Sequence, residues 1–497
     1  MKPPVPRLYR GFRDLFPAEL AVRDEMIERI RRVYERYGYA PLETPTVEYV
    51  DVLGKFLPES EQPEGGIYAF RNEDGEWVAL RYDLTAPLSR VCAQYPDLPR
   101  PFRRYQLGLV FRLEKPGQDR FREFYQFDFD IVGTASTAAD TEVCCIMCDV
   151  LEAVGIRRGK YIIRVNDRKV LSGVLETLGL FGDEKNVEAS DSQSATIWLN
   201  VLRSIDKLDK IGWTGVRDLL TSGRRDPSSD FTPGLNLESR MVERIEQYIN
   251  ARAKNRRVVC DKLASVVGDS KIGNEGVAEL RAIDAQLDAL GYDERRIVFD
   301  PTVVRGLSYY TGPVFEGELT FPIVDEAGNE KSFGSIFGGG RYDDLIERFT
   351  GERVPATGAS IGVDRLLAAL KLLGRVPKKH STTQILVTVM DESRLADYQL
   401  IAQELRRAKI KTELYAGSAR IGQQLKYADT LDIPLALIAG DDELASGIVQ
   451  VKDLRLGREL SESIRERDVW KKERPAQIAV PRAEMVRTIR ELLRKYR

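Results

Sequence analysis

Phe124-Tyr125-Gln126-Phe127-Asp128-Phe129-Asp130 alternates in a way that decides how this part of the chain folds. At the two-residue period of a strand, Phe124, Gln126, Asp128 and Asp130 share one face, and Tyr125, Phe127 and Phe129 share the other. A polar pocket face backed by an aromatic core face is the natural reading. Just upstream stand Phe111-Arg112-Leu113-Glu114 and Arg120-Phe121-Arg122-Glu123. Farther along come Arg305-Gly306-Leu307-Ser308-Tyr309-Tyr310 and Gly358-Ala359-Ser360-Ile361-Gly362-Val363-Asp364-Arg365. Each segment sets an arginine among aromatic, glycine or β-branched residues, which a solvated charge run would not do.

Together these segments offer several fixed cations, two carboxylates and two phenols, an inventory that suits a polyphosphate beside a small polar amino acid. Composition narrows the chemistry further. The chain has 497 residues, too many for one ordinary core, so two to four domains are expected. Hydrophobic residues make up 43% and charged residues 31%, and no stretch approaches the roughly 20 apolar residues that span a bilayer. Met1-Lys2-Pro3-Pro4-Val5-Pro6-Arg7 lacks the apolar core of a signal peptide, so the cytoplasm is the expected compartment. Lys plus Arg total 75 against 77 Asp plus Glu, a net charge of -2. Neither a membrane nor DNA is expected as a partner. Bulk charge announces no nucleic acid, and any such partner would have to be met by local basic surface.

His380 is the one histidine. A multi-histidine zinc site is excluded, and a Ser-His-Asp triad would have to recruit that residue from what reads as a linker. Carboxylates, arginines, a metal ion or positioning must carry the catalysis. Cys144, Cys145 and Cys148 fall within Ala139 to Val154, which reads as one helix, and core packing accounts for them better than a metal site does.

Residues 17 to 37 have the spacing of an amphipathic helix, through Met26, Ile27, Ile30, Val33, Tyr34 and Tyr37, with Gly38 as its stop. Tyr39 to Pro45 is extended, and its prolines suit a sheet edge. Residues 166 to 297 change to charged helical stretches, Val201 to Leu220 and Leu237 to Ala253, around a loop from Gly223 to Asp230. After His380, strands at Gln384 to Val389, Lys411 to Tyr415 and Pro434 to Ile438 alternate with helices at Ser393 to Ala408 and Arg420 to Thr430. That βαβαβ order predicts a small doubly wound α/β sheet, followed by a basic helix from Ala483 to Arg497. Gly338-Gly339-Gly340-Arg341-Tyr342-Asp343 lacks the Lys-Ser/Thr of a phosphate loop and reads as a place of close backbone approach.

These motifs resemble those of class II aminoacyl-tRNA synthetases, and specifically of the histidyl-tRNA synthetase family, over nearly the whole chain. The first helix with the Pro45 stretch resembles motif 1, Phe111 to Asp130 resembles motif 2, and Gly358 to Arg365 resembles motif 3. Arg81-Tyr82-Asp83-Leu84-Thr85 and Arg305 to Tyr310 resemble segments characteristic of the histidine enzymes. The resemblance implies an α+β architecture: a class II antiparallel-sheet catalytic domain, a helical insertion and a C-terminal doubly wound α/β anticodon-binding domain. The boundaries expected are 1–165 and 298–376 for the two parts of the catalytic core, 166–297 for the insertion and 384–497 for the anticodon-binding domain.

The resemblance also implies an activity, histidine–tRNA ligation by a homodimer with ATP, Mg2+, L-histidine and tRNA(His). Arg112 would contact the α-phosphate, Arg120 the γ-phosphate end and Arg365 the far side of the triphosphate. Phe124 would stack on adenine, and Glu114 would approach the nucleotide or its metal. Arg305 would bridge the substrate carboxylate and the α-phosphate, a task suited to a guanidinium fork. Asp83, Thr85 and Gln126 would hold the α-amino group. Asp130 would accept from one imidazole edge, and Tyr309 or Tyr310 would serve the other. Asp83 and Asp130 stand where many bacterial members have glutamate, and Asp119 is an acidic residue where the tRNA acceptor end is expected. The alternative is a non-catalytic regulatory paralogue, a subunit of ATP phosphoribosyltransferase. Such relatives usually lack the C-terminal domain and have eroded motif arginines, whereas Arg112, Arg305 and Arg365 all stand here.

Overall fold

In the computed structural model the described residues are 3–54, 66–113, 121–180, 192–225, 231–304, 309–324, 330–377, 381–463 and 476–496. The alternating segment forms the strand Glu123–Val132, inside an eight-stranded sheet. In spatial order the sheet runs Ala40–Pro41, Phe102–Phe111, Glu123–Val132, Ala356–Gly362, Glu330–Arg341, Pro313–Val324, Tyr161–Asp167 and Ile297–Phe299. All neighbours are antiparallel except the two edge pairs, Ala40–Pro41 with Phe102–Phe111 and Ile297–Phe299 with Tyr161–Asp167. Pro41, which has no N–H to donate, accordingly sits at an edge.

Period two sorts the central strand as its composition requires. Phe127 and Phe129 are fully buried on the aromatic face, packed on Tyr34 of the helix Pro17–Arg36 with ring centroids 4.9 and 4.8 Å away. Tyr34 Oη donates to the carbonyl of Phe127 at 3.0 Å, so the phenol is satisfied inside the core. The chain leaves this helix through Gly38, whose φ of 78° is left-handed backbone that favours glycine. Ser136 caps the helix Thr137–Ala153 by accepting from Ala138 N, and Cys144, Cys145 and Cys148 pack in the buried interior with free thiols.

Helices fill the connection between the strands Tyr161–Asp167 and Ile297–Phe299. The stretch read as one helical run from Val201 to Leu220 is two helices, Ser192–Ile205 and Leu208–Leu220, and Gly212 kinks the second with φ 67°. The segment read as a loop from Gly223 begins with a strand, Gly223–Arg225, paired antiparallel with Phe231–Pro233. Pairing supplies partners for backbone groups that a loop would leave to water. Residues 226–230 lie outside the described residues. No described helix is long and apolar enough to cross a membrane.

Two compact units divide the chain, residues 1–13 with 23–373, and residues 14–22 with 374–497. The second unit holds a five-stranded sheet in the order Thr412–Leu414, Ile385–Val387, Leu435–Ile438, Ile448–Asp453, Gln477–Pro481. Its first three strands are parallel, as the βαβαβ pattern predicts. Ile385, Val387, Leu435 and Leu437 pack against the helices Leu395–Arg407 and Met485–Arg494. Leu386 and Ala436 face Ala428 on the other side. Two antiparallel strands, Ile448–Asp453 and Gln477–Pro481, widen that sheet beyond the expectation.

Candidate active site

Strand register builds the polar floor of a cavity of about 310 Å³. Asp130 lies between Arg104 and Gly358, Asp128 between Gln106 and Ser360, and Gln126 between Gly108 and Gly362. Beyond them Gly338 faces Ser360, and Gly340 faces Gly358. The glycines let these rows lie close. A Cβ on Gly358 would stand 2.3 Å from Asp130 Oδ1, and one on Gly339 would stand 2.2 Å from the carbonyl of Gly358. The glycine run of residues 338–340 therefore serves close backbone approach between strands.

Behind Asp130, Arg104 is fully buried, pairs with that carboxylate at 2.8 Å and donates to the carbonyl of Leu84 at 3.1 Å. This guanidinium ties the turn carrying Asp83 and Thr85 to the strand face. Tyr342 Oη donates to Asp130 as well. Burial raises the Asp130 carboxyl above the usual carboxylate range, against the pull of Arg104 and Tyr342. Asp83 is raised for the same reason and accepts from Ala86 N at 3.1 Å. Asp128 is pushed up to about 7, first by burial and then by the charges of Asp130 and Asp83; Arg104 and a hydrogen bond from Ser360 oppose the shift. Tyr309 lies tilted beside Tyr310 with centroids 4.8 Å apart and meets Tyr342 edge-on at 6.0 Å.

Cationic and aromatic side chains complete the lining. Arg112 Nε donates to the carbonyl of Tyr82 at 3.1 Å, and its guanidinium lies 5.2 Å from the Phe124 ring centroid. Arg365, in the first turn of the helix Val363–Leu372, donates to the carbonyl of Phe333 at 2.8 Å. Next to it, Asp364 accepts from Tyr125 N at 2.6 Å and pairs with Arg13. One carboxylate thus joins the strand of Phe124 to the helix of Arg365.

Asp83, Thr85, Arg112, Phe124, Gln126, Asp130, Tyr309, Tyr310 and Arg365 all line this one cavity. The other candidates, Glu114, Arg120 and Arg305, lie outside the described residues. The sequence reading put Asp128 on the polar face but gave it no role. It missed Arg104 and Tyr342 as partners of Asp130, because only the register of separate strands sets them side by side.

A mostly antiparallel sheet that gathers Arg112 at the end of one strand, a polar strand and an Arg365 helix around one cavity is the architecture of a class II aminoacyl-tRNA synthetase. A family model described as "Histidyl-tRNA synthetase" matches residues 11–196 and 215–366, and one described as "Anticodon binding domain" matches residues 384–492. The histidine–tRNA ligase of Cereibacter sphaeroides is 52% identical over 97% of each chain. That of Roseobacter denitrificans is 50% identical over 98% of this chain and 96% of its own. The crystal structure of histidyl-tRNA synthetase from Nostoc sp. PCC 7120 superposes with a TM-score of 0.71 at 30% identity, covering 98% of this chain and 99% of that one. The chain belongs to the histidyl-tRNA synthetase family.

Proposed function

We propose that the chain is a histidine–tRNA ligase. It activates L-histidine with ATP to histidyl-adenylate and pyrophosphate, then transfers the histidyl group to the 3′-terminal adenosine of tRNA(His). The observation that carries this reading is a single cavity lined by carboxylates and phenols together with Arg112, Phe124 and Arg365.

A carboxylate oxygen of histidine attacks the α-phosphorus while the bond to pyrophosphate breaks. Two anions must be brought together, and the charge developing on phosphorus must be stabilised. Arg112 and Arg305 are the catalytic cations in this reading. Phe124 carries the adenine, and Arg120 and Arg365 hold the remaining phosphates. No protein proton shuttle is required, which accords with a chain whose one histidine is His380. Asp130 retains acceptor capacity beyond Arg104 and Tyr342, since a carboxylate has about four lone-pair sites, and so can accept an imidazole N–H. Tyr309 or Tyr310 answers the ring's second nitrogen. Asp83, Thr85 and Gln126 take the α-amino group. A pocket that hydrogen-bonds both ring nitrogens rejects apolar isosteres by roughly four powers of ten.

Mg2+ would accompany ATP, held mainly by phosphate oxygens, as hard cations with few protein ligands are. Oxygen donors suit it, and Glu114 is the carboxylate proposed to reach it. No described group of three or more His, Cys, Asp or Glu side chains forms a dedicated metal cage. Residues 384–497 would hold the anticodon arm, with unstacked bases on aromatic or arginine planes. We further propose a homodimer working in the cytoplasm. A regulatory paralogue is disfavoured by the match of residues 384–492 to an anticodon-binding model and by the half-identical relatives named as ligases.

Charging of tRNA(His) with labelled histidine tests the reading. Wild type should form ester-linked histidyl-tRNA that releases histidine in mild alkali, and Arg305→Ala should charge at under a hundredth of that rate. Histidine binding without any charging by the wild type would return the protein to the regulatory class.

A further inference from the structure

The cavity's floor holds more acceptors than its neighbours satisfy. Asp83 Oδ2, Gln126 Oε1 and Asp128 Oδ1 are each buried without a hydrogen-bond partner among the described residues, whereas Asp130 Oδ2, also without a hydrogen bond, is ion-paired with Arg104 at 2.8 Å. All three residues line the cavity and are at most 7% exposed. Buried polar atoms are normally paired, so three orphaned acceptors in one pocket point to a missing set of donors.

The surroundings fix which atoms are left over. Gln126 Nε2 donates to Ser360 Oγ at 2.5 Å, which assigns its amide and leaves Oε1 on the other side. Ser360 in turn stands opposite Asp128 in the sheet, and its hydroxyl favours the ionised Asp128 carboxyl. Arg104, bridging Leu84 and Asp130, brings the Asp83 turn to the strand of Gln126 and Asp128, and all three residues line one cavity. Three acceptors without a donor are the complement of a primary ammonium, which has three N–H donors and no acceptor. A neutral imidazole, with one donor and one acceptor, cannot satisfy them.

We propose that Asp128 is a further substrate-binding residue, supplying with Asp83 and Gln126 the third acceptor of a site for the α-ammonium of histidine. This rests on the ligase reading and adds to it a second charged contact for the amino group. Thr85 lines the same site and shares the ammonium's donors as a neutral contact, while the site's two charges come from Asp83 and Asp128. Asp128 therefore helps select an amino acid over its deaminated analogue, while Asp130 and the tyrosines select the ring.

The test compares two probes by calorimetry on the full-length protein. Histidinol carries the ring and the ammonium; 3-(imidazol-4-yl)propanoate carries the ring and no ammonium. In Asp128→Asn, histidinol should bind about 10- to 100-fold more weakly, the usual loss for a hydrogen bond to a charged group, while the propanoate should change less than about 2-fold. Equal loss for both probes would make Asp128 a ring contact or a structural residue, and no loss for either would remove it from the site; each result overturns the proposal. Should Asp128→Asn fail to fold, Ser360→Ala keeps Asp128 but removes its anchor. It should weaken histidinol selectively by several-fold, and an unselective change would overturn the proposal equally. Wild type that binds histidinol no better than leucinol would fail the ligase reading itself, a different result from wild-type selectivity that survives Asp128→Asn.

Discussion

Replacing Asp128 with Asn should make the ligand-free protein more stable at pH 8 while leaving it almost unchanged near pH 4. The carboxyl sits near 3.8 in an unfolded chain and at about 7 in the folded cavity, raised by burial and by Asp130 and Asp83. The folded state therefore holds this proton more tightly than the unfolded state does. Stabilisation from the bound proton is complete below pH 3.8 and is lost as the pH rises through about 7. About three pKa units at 1.36 kcal/mol each amount to a cost of about 4 kcal/mol in the ionised form. Roughly 3 kcal/mol of that develops between pH 5 and pH 8. Asparagine has the same shape and no charge to bury. Thermal unfolding of wild type and Asp128→Asn, followed through the transition of the unit containing residues 23–373, reads the difference directly. The variant's advantage should grow by about 4 °C from pH 5 to pH 8 for a unit of this size. An advantage that is independent of pH, or that shrinks as pH rises, would refute the burial argument. A carboxylate kept at such a cost is expected of a residue whose partner arrives with the substrate.

Two other sites give sharp expectations. Gly358→Ala places a methyl 2.3 Å from Asp130 Oδ1, so the KM for histidine should rise at least 10-fold while the KM for ATP changes little; matched changes in both would argue against a local clash. Asp364→Asn weakens the join between the Phe124 strand and the Arg365 helix, so the KM for ATP should rise several-fold with histidine binding intact, and a variant with normal ATP kinetics would show that Asp364 does not position that end of the cavity.

Much of this site was legible because a strand's period of two is a local property. The seven residues from Phe124 to Asp130 sufficed to separate Gln126, Asp128 and Asp130 from Phe127 and Phe129. Pro41 at the sheet edge and the three parallel strands of the second unit were legible for similar reasons. What stayed hidden depends on register between distant strands. Nothing near Arg104 in the chain announces Asp130, and nothing near Tyr342 does either; both meet it only when three strands align. Ile448 to Asp453 is a different case. Its burial alternates through Val449, Val451 and Asp453, but Ile448 beside Val449 blurs the period-two signal in the sequence. The break between Ile205 and Leu208 carries no proline or glycine, so local signals did not mark it.

Histidine-dependent ATP–pyrophosphate exchange tests the central claim most directly, since it needs the amino-acid and nucleotide ends of the cavity to act on one another without tRNA. The account predicts exchange that requires histidine, is not supported by other amino acids, and falls at least a hundredfold in Arg112→Ala. Exchange that proceeds equally with an amino acid lacking the imidazole ring, or that survives Arg112→Ala undiminished, would contradict it.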